Sequence, residues 1–182
     1  RVRTAETAAL EGSLAPDGAI FKRAAATPSL FETEGRAVVF ENAQDLAQRI
    51  DSPDLDVTAH DILVLKNIGP KGAPGMPEAG YIPIPMKLAR AGVKDIVRIS
   101  DGRMSGTAFG TIVLHVTPEA AVGGPLAFVN NGDHIRLSVK NREISLLVSD
   151  EELAKRAKEN PVIEPSAERG YLKLFLDTVT QA

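Results

Sequence analysis

The chain contains no cysteine. That absence removes disulfides, zinc–thiolate sites, thiol nucleophiles and any cysteine-held iron–sulfur cluster from this polypeptide. Such chemistry would have to come from another chain or from a segment outside these residues. Tryptophan is absent too, and aromatic residues make up only 4% of the sequence, so stacking platforms for single-stranded nucleic acid are poorly supplied. There is no excess of positive charge: 21 Lys and Arg stand against 24 Asp and Glu, a net charge of −3, which argues further against nucleic acid as a partner. No run approaches the roughly 20 apolar residues that a membrane helix needs, and Arg1–Leu10 lacks the apolar centre of a signal peptide. The expectation is a soluble, cytoplasmic protein with no membrane contact.

What remains is ordinary globular composition, 43% hydrophobic and 25% charged over 182 residues. That suffices for one domain, at most two small ones, with a core built from small and aliphatic side chains. Short branched runs between Gly/Pro-rich turns dominate the first 150 or so residues and read as buried strands: Ala19–Lys22, Arg36–Phe40, Ile62–Lys66, Ile96–Ile99 and Thr111–Val116. From His134 to Val148, polar and apolar residues alternate on both sides of Lys140, Asn141 and Arg142, a hairpin pattern, after a turn at Asn130–Asp133.

Helices are fewer. Asn42 can cap one that runs to about Arg49, and Pro83–Ala91 can form another that stops at Gly92. Ser149 and Glu152 have capping-box spacing and open a helix through about Lys158. Ala167–Val179 carries Leu172, Leu174, Phe175 and Val179 at helical intervals. The fold class is therefore mainly β with flanking helices.

Two loops are too unusual to be mere connectors. Gly69–Gly80 reads GPKGAPGMPEAG and carries a single carboxylate, Glu78. It is stiff at its prolines and lets backbone approach a ligand at its glycines, but it lacks the Gly-Lys-Ser/Thr ending of a phosphate loop. Glu78 is either a solvated side chain on a structured turn or a ligand to a hard cation such as Mg²⁺, which needs only one or two protein carboxylates. Ser100–Gly110 reads SDGRMSGTAFG and offers Arg103, Ser105 and Thr107 among glycines, including Gly106. Its amides can form an anion nest, and Ser105 can act as nucleophile or base if a neighbour or metal activates it. A hydrolase elbow is disfavoured, because Arg103 and Thr107 occupy its glycine positions. The other reading is a turn in which Ser and Thr satisfy backbone groups. Of the histidines, His115 sits in a strand pattern as a core, supporting or acid–base group, while His60 and His134 stand at strand entrances on the surface.

In order, GPKGAPGMPE, SDGRMSGTAFG and HVTPEAAVGGPLAFVNNGDHIRL (His115–Leu137) resemble the dihydroxy-acid dehydratase and phosphogluconate dehydratase family. The resemblance begins at Glu11–Ala25 (EGSLAPDGAIFKRAA), where Ser13 replaces the usual Asn of Gly-Asn-Leu-Ala-Pro, and ends near Arg169–Ala182. Met76–Val116 looks most like the sugar-acid branch, which dehydrates aldonates such as arabinonate, xylonate or gluconate. The enzymes of branched-chain amino acid synthesis differ after MPE and usually carry Phe where Met104 stands.

The resemblance implies a C-terminal domain, residues 1–182, folded as a helix-flanked β-barrel of the swivelling-domain type, with residues 166–182 as a C-terminal helix packed on it. It implies as partner an N-terminal domain that holds an iron–sulfur cluster and the other magnesium ligands, assembly into a dimer or tetramer, and a small sugar acid as substrate. Glu78 matches the magnesium ligand of this domain and Ser105 the catalytic base, with Thr107 beside it; Arg103 and Gly106 fall to substrate binding. In the implied reaction Mg²⁺ holds the carboxylate and 2-hydroxyl, Ser105 as alkoxide takes the C2 proton, and the cluster draws off the 3-hydroxyl, giving a 2-keto-3-deoxy acid. An isolated chain would then be inactive. A non-catalytic binding or assembly module is the alternative of another class.

Overall fold

The runs Ala37–Phe40 and Ile62–Leu65 are apolar at every position because both faces of their strands are covered. Ala37, Val39, Ile62 and Val64 point into one core cluster with Val97, Ile99 and Val113. Their neighbours Val38, Phe40, Leu63 and Leu65 point the other way, against Leu46, Ile50, Ile82 and Leu88. Alternation along each strand thus feeds two cores, as strands beneath crossover helices require. The computed structural model describes residues 6–181; Arg1–Ala5 and Ala182, the outermost residues of the expected domain, lie outside the described residues.

The strands are β1 (Ala8–Gly12), β2 (Ala15–Phe21), β3 (Glu32–Phe40), β4 (Ile62–Leu65), β5 (Val97–Ser100), β6 (Ile112–Thr117), β7 (His134–Ser138) and β8 (Glu143–Leu146). They close into a barrel in the order β1-β2-β6-β5-β4-β3-β7-β8. The mainly β, helix-flanked fold expected from the sequence pattern and the barrel that the resemblance implies are therefore present. β3, β4, β5 and β6 run parallel in sequence, and the other neighbours pair antiparallel except where β8 meets β1. That closure rests on one parallel pairing, Glu11 with Glu143, on Glu11 N–H donating to Arg142 O at 3.0 Å, and, just past β1, on Leu14 N–H donating to Ile144 O at 3.4 Å and on Ser13 Oγ, which donates to Leu146 O at 3.1 Å and accepts from Leu146 N at 2.9 Å.

Helix α1 (Ala43–Arg49) crosses from β3 to β4, and α2 (Met86–Arg90) lies between β4 and β5. α3 (Asp150–Glu159) and α4 (Gly170–Thr178) follow the barrel. The expected caps are in place: Asn42 Oδ1 accepts from Asp45 N at 2.9 Å, and Ser149 Oγ from Glu152 N at 3.3 Å. α4 is tied down by Lys71 Nζ donating to Leu176 O at 2.9 Å and by its buried Leu176, and it leaves Tyr171 and Leu174 exposed.

Several boundaries differ from the sequence reading: β1 is a strand it did not contain, and β2 begins at Ala15 rather than Ala19. β3 begins at Glu32, because its polar first half pairs with β7 from Glu32–Ser138 to Arg36–His134; the charges and Gly35 mask that strand. α2 does not begin at Pro83. Ile82 has a left-handed φ of +41°, and Pro85, which caps the helix, disfavours helical backbone at Ile84, so the first helical residue is Met86. α4 starts at Gly170, whose φ is +80°, rather than at Ala167.

Beneath β5 lies a buried ion pair, Arg98 Nη2 to Asp95 Oδ1 at 2.8 Å. Gly110 makes room for it: its φ is +133° and a side chain there would occupy the space of the Arg98 guanidinium. Gly110→Ala is expected to cost about 1–3 kcal/mol from the unfavourable backbone region alone, with displacement of the Arg98 guanidinium adding to it, and thermal unfolding of wild type and variant measures it.

Candidate active site

Because β4 and β5 are adjacent and parallel, with Ile62–Leu65 in register with Val97–Ser100, the segments that follow them leave the same end of the barrel. Carboxyl ends of parallel strands are where such sheets place ligands. The two Gly-rich loops occupy these positions.

Asp101 anchors the first loop. Its fully buried carboxylate accepts from the backbone N–H groups of Asn67 at 3.2 Å, Ile68 at 2.9 Å, Gly69 at 3.2 Å and Ala120 at 3.0 Å. Burial pushes this carboxyl above the usual range, against the downward pull of those amides. Glu119 fixes the next turn by accepting from Lys71 N at 2.9 Å and Gly72 N at 3.2 Å. The sequence marks Asp101 and Glu119 only as loop residues, but both shape the site.

The loops are then joined to each other through Arg103. Gly80 N donates to Arg103 O at 2.8 Å, Arg103 Nε to Met76 O at 2.7 Å, and Arg103 Nη1 to Glu78 Oε1 at 2.7 Å. Glu78 and Arg103 stay 48% and 43% exposed, and a pair so open to solvent adds little stability; its effect is to set where the carboxylate stands. Two residues on, Ser105 Oγ and Thr107 Oγ1 lie 3.1 Å apart, and Thr107 N–H faces Ser105 Oγ at 3.5 Å. Ala108 N donates to Ser105 O at 3.1 Å, closing a tight turn with Gly106 on its crest, where a side chain would meet nothing within 4 Å.

The family model for the C-terminal domain of dihydroxy-acid/6-phosphogluconate dehydratases matches residues 2–182. The chain belongs to that family. It is 51% identical over 178 residues to a 6-deoxy-6-sulfo-D-gluconate dehydratase of Pseudomonas putida, covering 98% of this chain and 31% of that protein. It is 50% identical over 179 residues to an L-arabonate dehydratase of Azospirillum brasilense, covering 95% of this chain and 31% of that protein. Against a dihydroxy-acid dehydratase of Lachnospira eligens the identity is 40% over 179 residues, 98% of this chain and 31% of that protein. The chain thus spans less than a third of the length of these relatives.

In this dehydratase-family domain, no group of three or more His, Cys, Asp or Glu side chains among the described residues could hold a metal ion. Glu78 alone is not a magnesium cage, and it fits that ion only as one ligand completed from outside the chain. Arg103 occupies one of its oxygens, and a carboxylate has lone pairs to spare. With no thiol, the chain offers an iron–sulfur cluster no cysteine ligand.

His115 lies in β6 with φ at +51°, and its N–H donates to Gly102 O at 3.1 Å, binding that strand to the second loop. Burial, with the Arg103 charge second, holds its imidazole below the usual value, which favours the neutral form. His60 and His134 are exposed. A residue the sequence reading did not single out also reaches the loop: the Lys22 ammonium donates to Gly106 O, and to Ala108 O at 3.4 Å. No local pattern signals it, since 84 residues separate Lys22 from Gly106.

Proposed function

We propose that this chain is the C-terminal part of a hydro-lyase that dehydrates a 2,3-dihydroxy sugar acid to a 2-keto-3-deoxy acid. The observation that carries the reading is the joining of Glu78 to the Ser105–Thr107 loop through Arg103, which places one acidic oxygen donor and two hydroxyls at one end of the barrel. Identity near one half to two sugar-acid dehydratases, against 40% to a dihydroxy-acid dehydratase, supports the aldonate branch.

Glu78 would contribute one oxygen to Mg²⁺, with the other ligands and the iron–sulfur cluster supplied by an N-terminal domain. Bound there, the ion withdraws electron density from the substrate carboxylate and 2-hydroxyl and acidifies the C2 proton. Ser105, as alkoxide, takes that proton. Donation from the Thr107 hydroxyl and N–H, and the nearby Arg103 charge, lower the cost of a negative Ser105 oxygen. The C2–H electron pair becomes the C2=C3 bond as the C3–O bond breaks; the departing hydroxide takes up the proton that Ser105 removed from C2, which restores the alkoxide and releases water, and the enol tautomerises to the keto acid. Arg103 offers further donors to the anionic substrate, and Gly106 keeps the crest uncrowded.

The test is to incubate the full-length enzyme with arabinonate, xylonate and gluconate and to measure 2-keto-3-deoxy acid. Turnover of at least one aldonate is expected, above that of a branched-chain 2,3-dihydroxy acid. The reverse preference would assign the amino-acid branch. Product from neither class would overturn the hydro-lyase reading in favour of a binding module. The 182-residue chain alone is expected to release no product, as it carries one candidate magnesium ligand and no thiol.

A further inference from the structure

The segment that follows β2 runs beside the Ser105 loop. At the loop's base, Gly110 N donates to Ala25 O at 2.9 Å and Thr27 N to Thr111 Oγ1 at 3.1 Å. The Thr27 hydroxyl also donates to Asp95 Oδ2 at 2.6 Å, and that oxygen accepts from the Thr111 hydroxyl at 2.7 Å. Lys22 extends this line of contacts to the crest. Its ammonium donates to Gly106 O, one residue from Ser105, and to Ala108 O at 3.4 Å. The crest otherwise faces solvent at Gly106, Thr107 and Phe109.

The carbonyl of Gly106 and the N–H of Thr107 belong to one peptide unit and, in a trans peptide, point in opposite directions. A cation held on that carbonyl therefore aims the Thr107 N–H away from itself, toward Ser105 Oγ, which it faces at 3.5 Å. The same cation polarises the peptide and makes its N–H a stronger donor. With three donors and no acceptor, the ammonium can hold both carbonyls at once, fixing the Gly106–Thr107 and Ala108–Phe109 peptide units of the crest.

We propose that Lys22 is the positioning residue of the Ser105–Thr107 pair: it orients and polarises the Gly106–Thr107 peptide so that Thr107 donates to the Ser105 oxygen. The proposal rests on the reading of Ser105 as the base. Lys22 itself touches neither hydroxyl and acts through the backbone.

The experiment compares Lys22→Met, Lys22→Arg and Ser105→Ala in the full-length enzyme, by steady-state kinetics with an aldonate, thermal unfolding and amide hydrogen exchange over residues 105–110. Lys22→Met is expected to lower kcat by about 10–100-fold, the scale of a slightly misplaced catalytic group. The aldonate KM should change by less than about threefold, since the loss falls on the transition state rather than on binding. Exchange over residues 105–110 should accelerate, the thermal midpoint should stay near wild type, and Lys22→Arg should restore most of kcat by supplying donors to the same carbonyls.

Unchanged kcat in Lys22→Met, with Ser105→Ala inactive, would overturn the proposal. So would a loss of activity that follows a large fall in thermal midpoint and is not rescued by arginine, because that is a structural role. If Ser105→Ala is itself fully active, the failure belongs to the proposed function. The exchange data then judge Lys22 alone, and unchanged exchange over residues 105–110 would overturn the clamp.

Discussion

Ser105→Ala in the full-length enzyme is expected to lower kcat by about 10²–10⁴-fold, the usual contribution of a positioned proton-transfer group. The thermal midpoint should hardly move. Ser105 Oγ makes its contacts with Thr107, two residues away on an open loop, so its loss strands no buried group. KM for the aldonate should change by less than about threefold, because taking the C2 proton is an interaction made in the transition state. Thr107→Val should produce a smaller loss, since it removes one donor to the Ser105 oxygen and leaves the oxygen itself. A kcat for Ser105→Ala above about one tenth of wild type would remove Ser105 as the base, whatever happens to binding. The loop would then retain only its link to Glu78 through Arg103, and the search for a base would move to the half-buried, neutral-leaning His115 in β6.

Much of this arrangement was legible in residue order because its determinants are local. Asn42 and Ser149 cap the helices they appear to cap, since a cap needs only the next three residues. Runs such as Ile62–Leu65 announce strands because every position is buried on one side or the other. Glu78, Arg103, Ser105 and Thr107 stand out as polar groups among glycines and prolines. Barrel closure is not local. β1, a five-residue strand of mixed polarity, is held by pairing with β2 and by a single pairing with β8. The link between Glu78 and Arg103 follows from the parallel register of β4 and β5 rather than from any spacing in the chain. Lys22 is invisible for the same reason, and Asp95 in part: its Thr27 and Thr111 donors are brought from other segments, although its ion-pair partner Arg98 lies only three residues on.

Asp95 yields the largest stability effect expected. Its side chain is 8% exposed and that of Arg98 only 1%. Arg98 spends its other donors on the carbonyls of Ile96, Tyr81 and Ile82 and lies over the Tyr81 ring at 5.0 Å. Asp95 supplies the only carboxylate bonded to that guanidinium among the described residues, and it also accepts from Thr27, Thr111 and its neighbour Ile96. Asp95→Ala therefore leaves a buried cation without its counter-charge, a loss of about 3–5 kcal/mol. For a domain of this size that lowers the thermal midpoint by roughly 6–20 °C. Adding Arg98→Met should recover part of the loss, so that the double variant is more stable than the sum of the single effects.

The effect also has a pH signature. Burial alone would raise the Asp95 carboxyl, but donation from Thr27 and Thr111 and the Arg98 charge outweigh it and hold the group below its ordinary value. A carboxyl depressed in the folded state stabilises the fold fully above its unfolded pKa of about 3.9 and ceases to do so as the pH falls through the folded value. The gap between wild type and Asp95→Ala should therefore stay constant from about pH 5 to 8 and narrow in acid below about pH 4. A gap that widens in acid would mean that the carboxylate is a burden in the fold and that Arg98 is satisfied by its carbonyls. Because Asp95 holds Thr111 and Arg98 fills the space beside Gly110, the same substitution loosens the base of the loop that carries Ser105. Faster amide exchange near Gly110 should then appear at temperatures well below the unfolding midpoint.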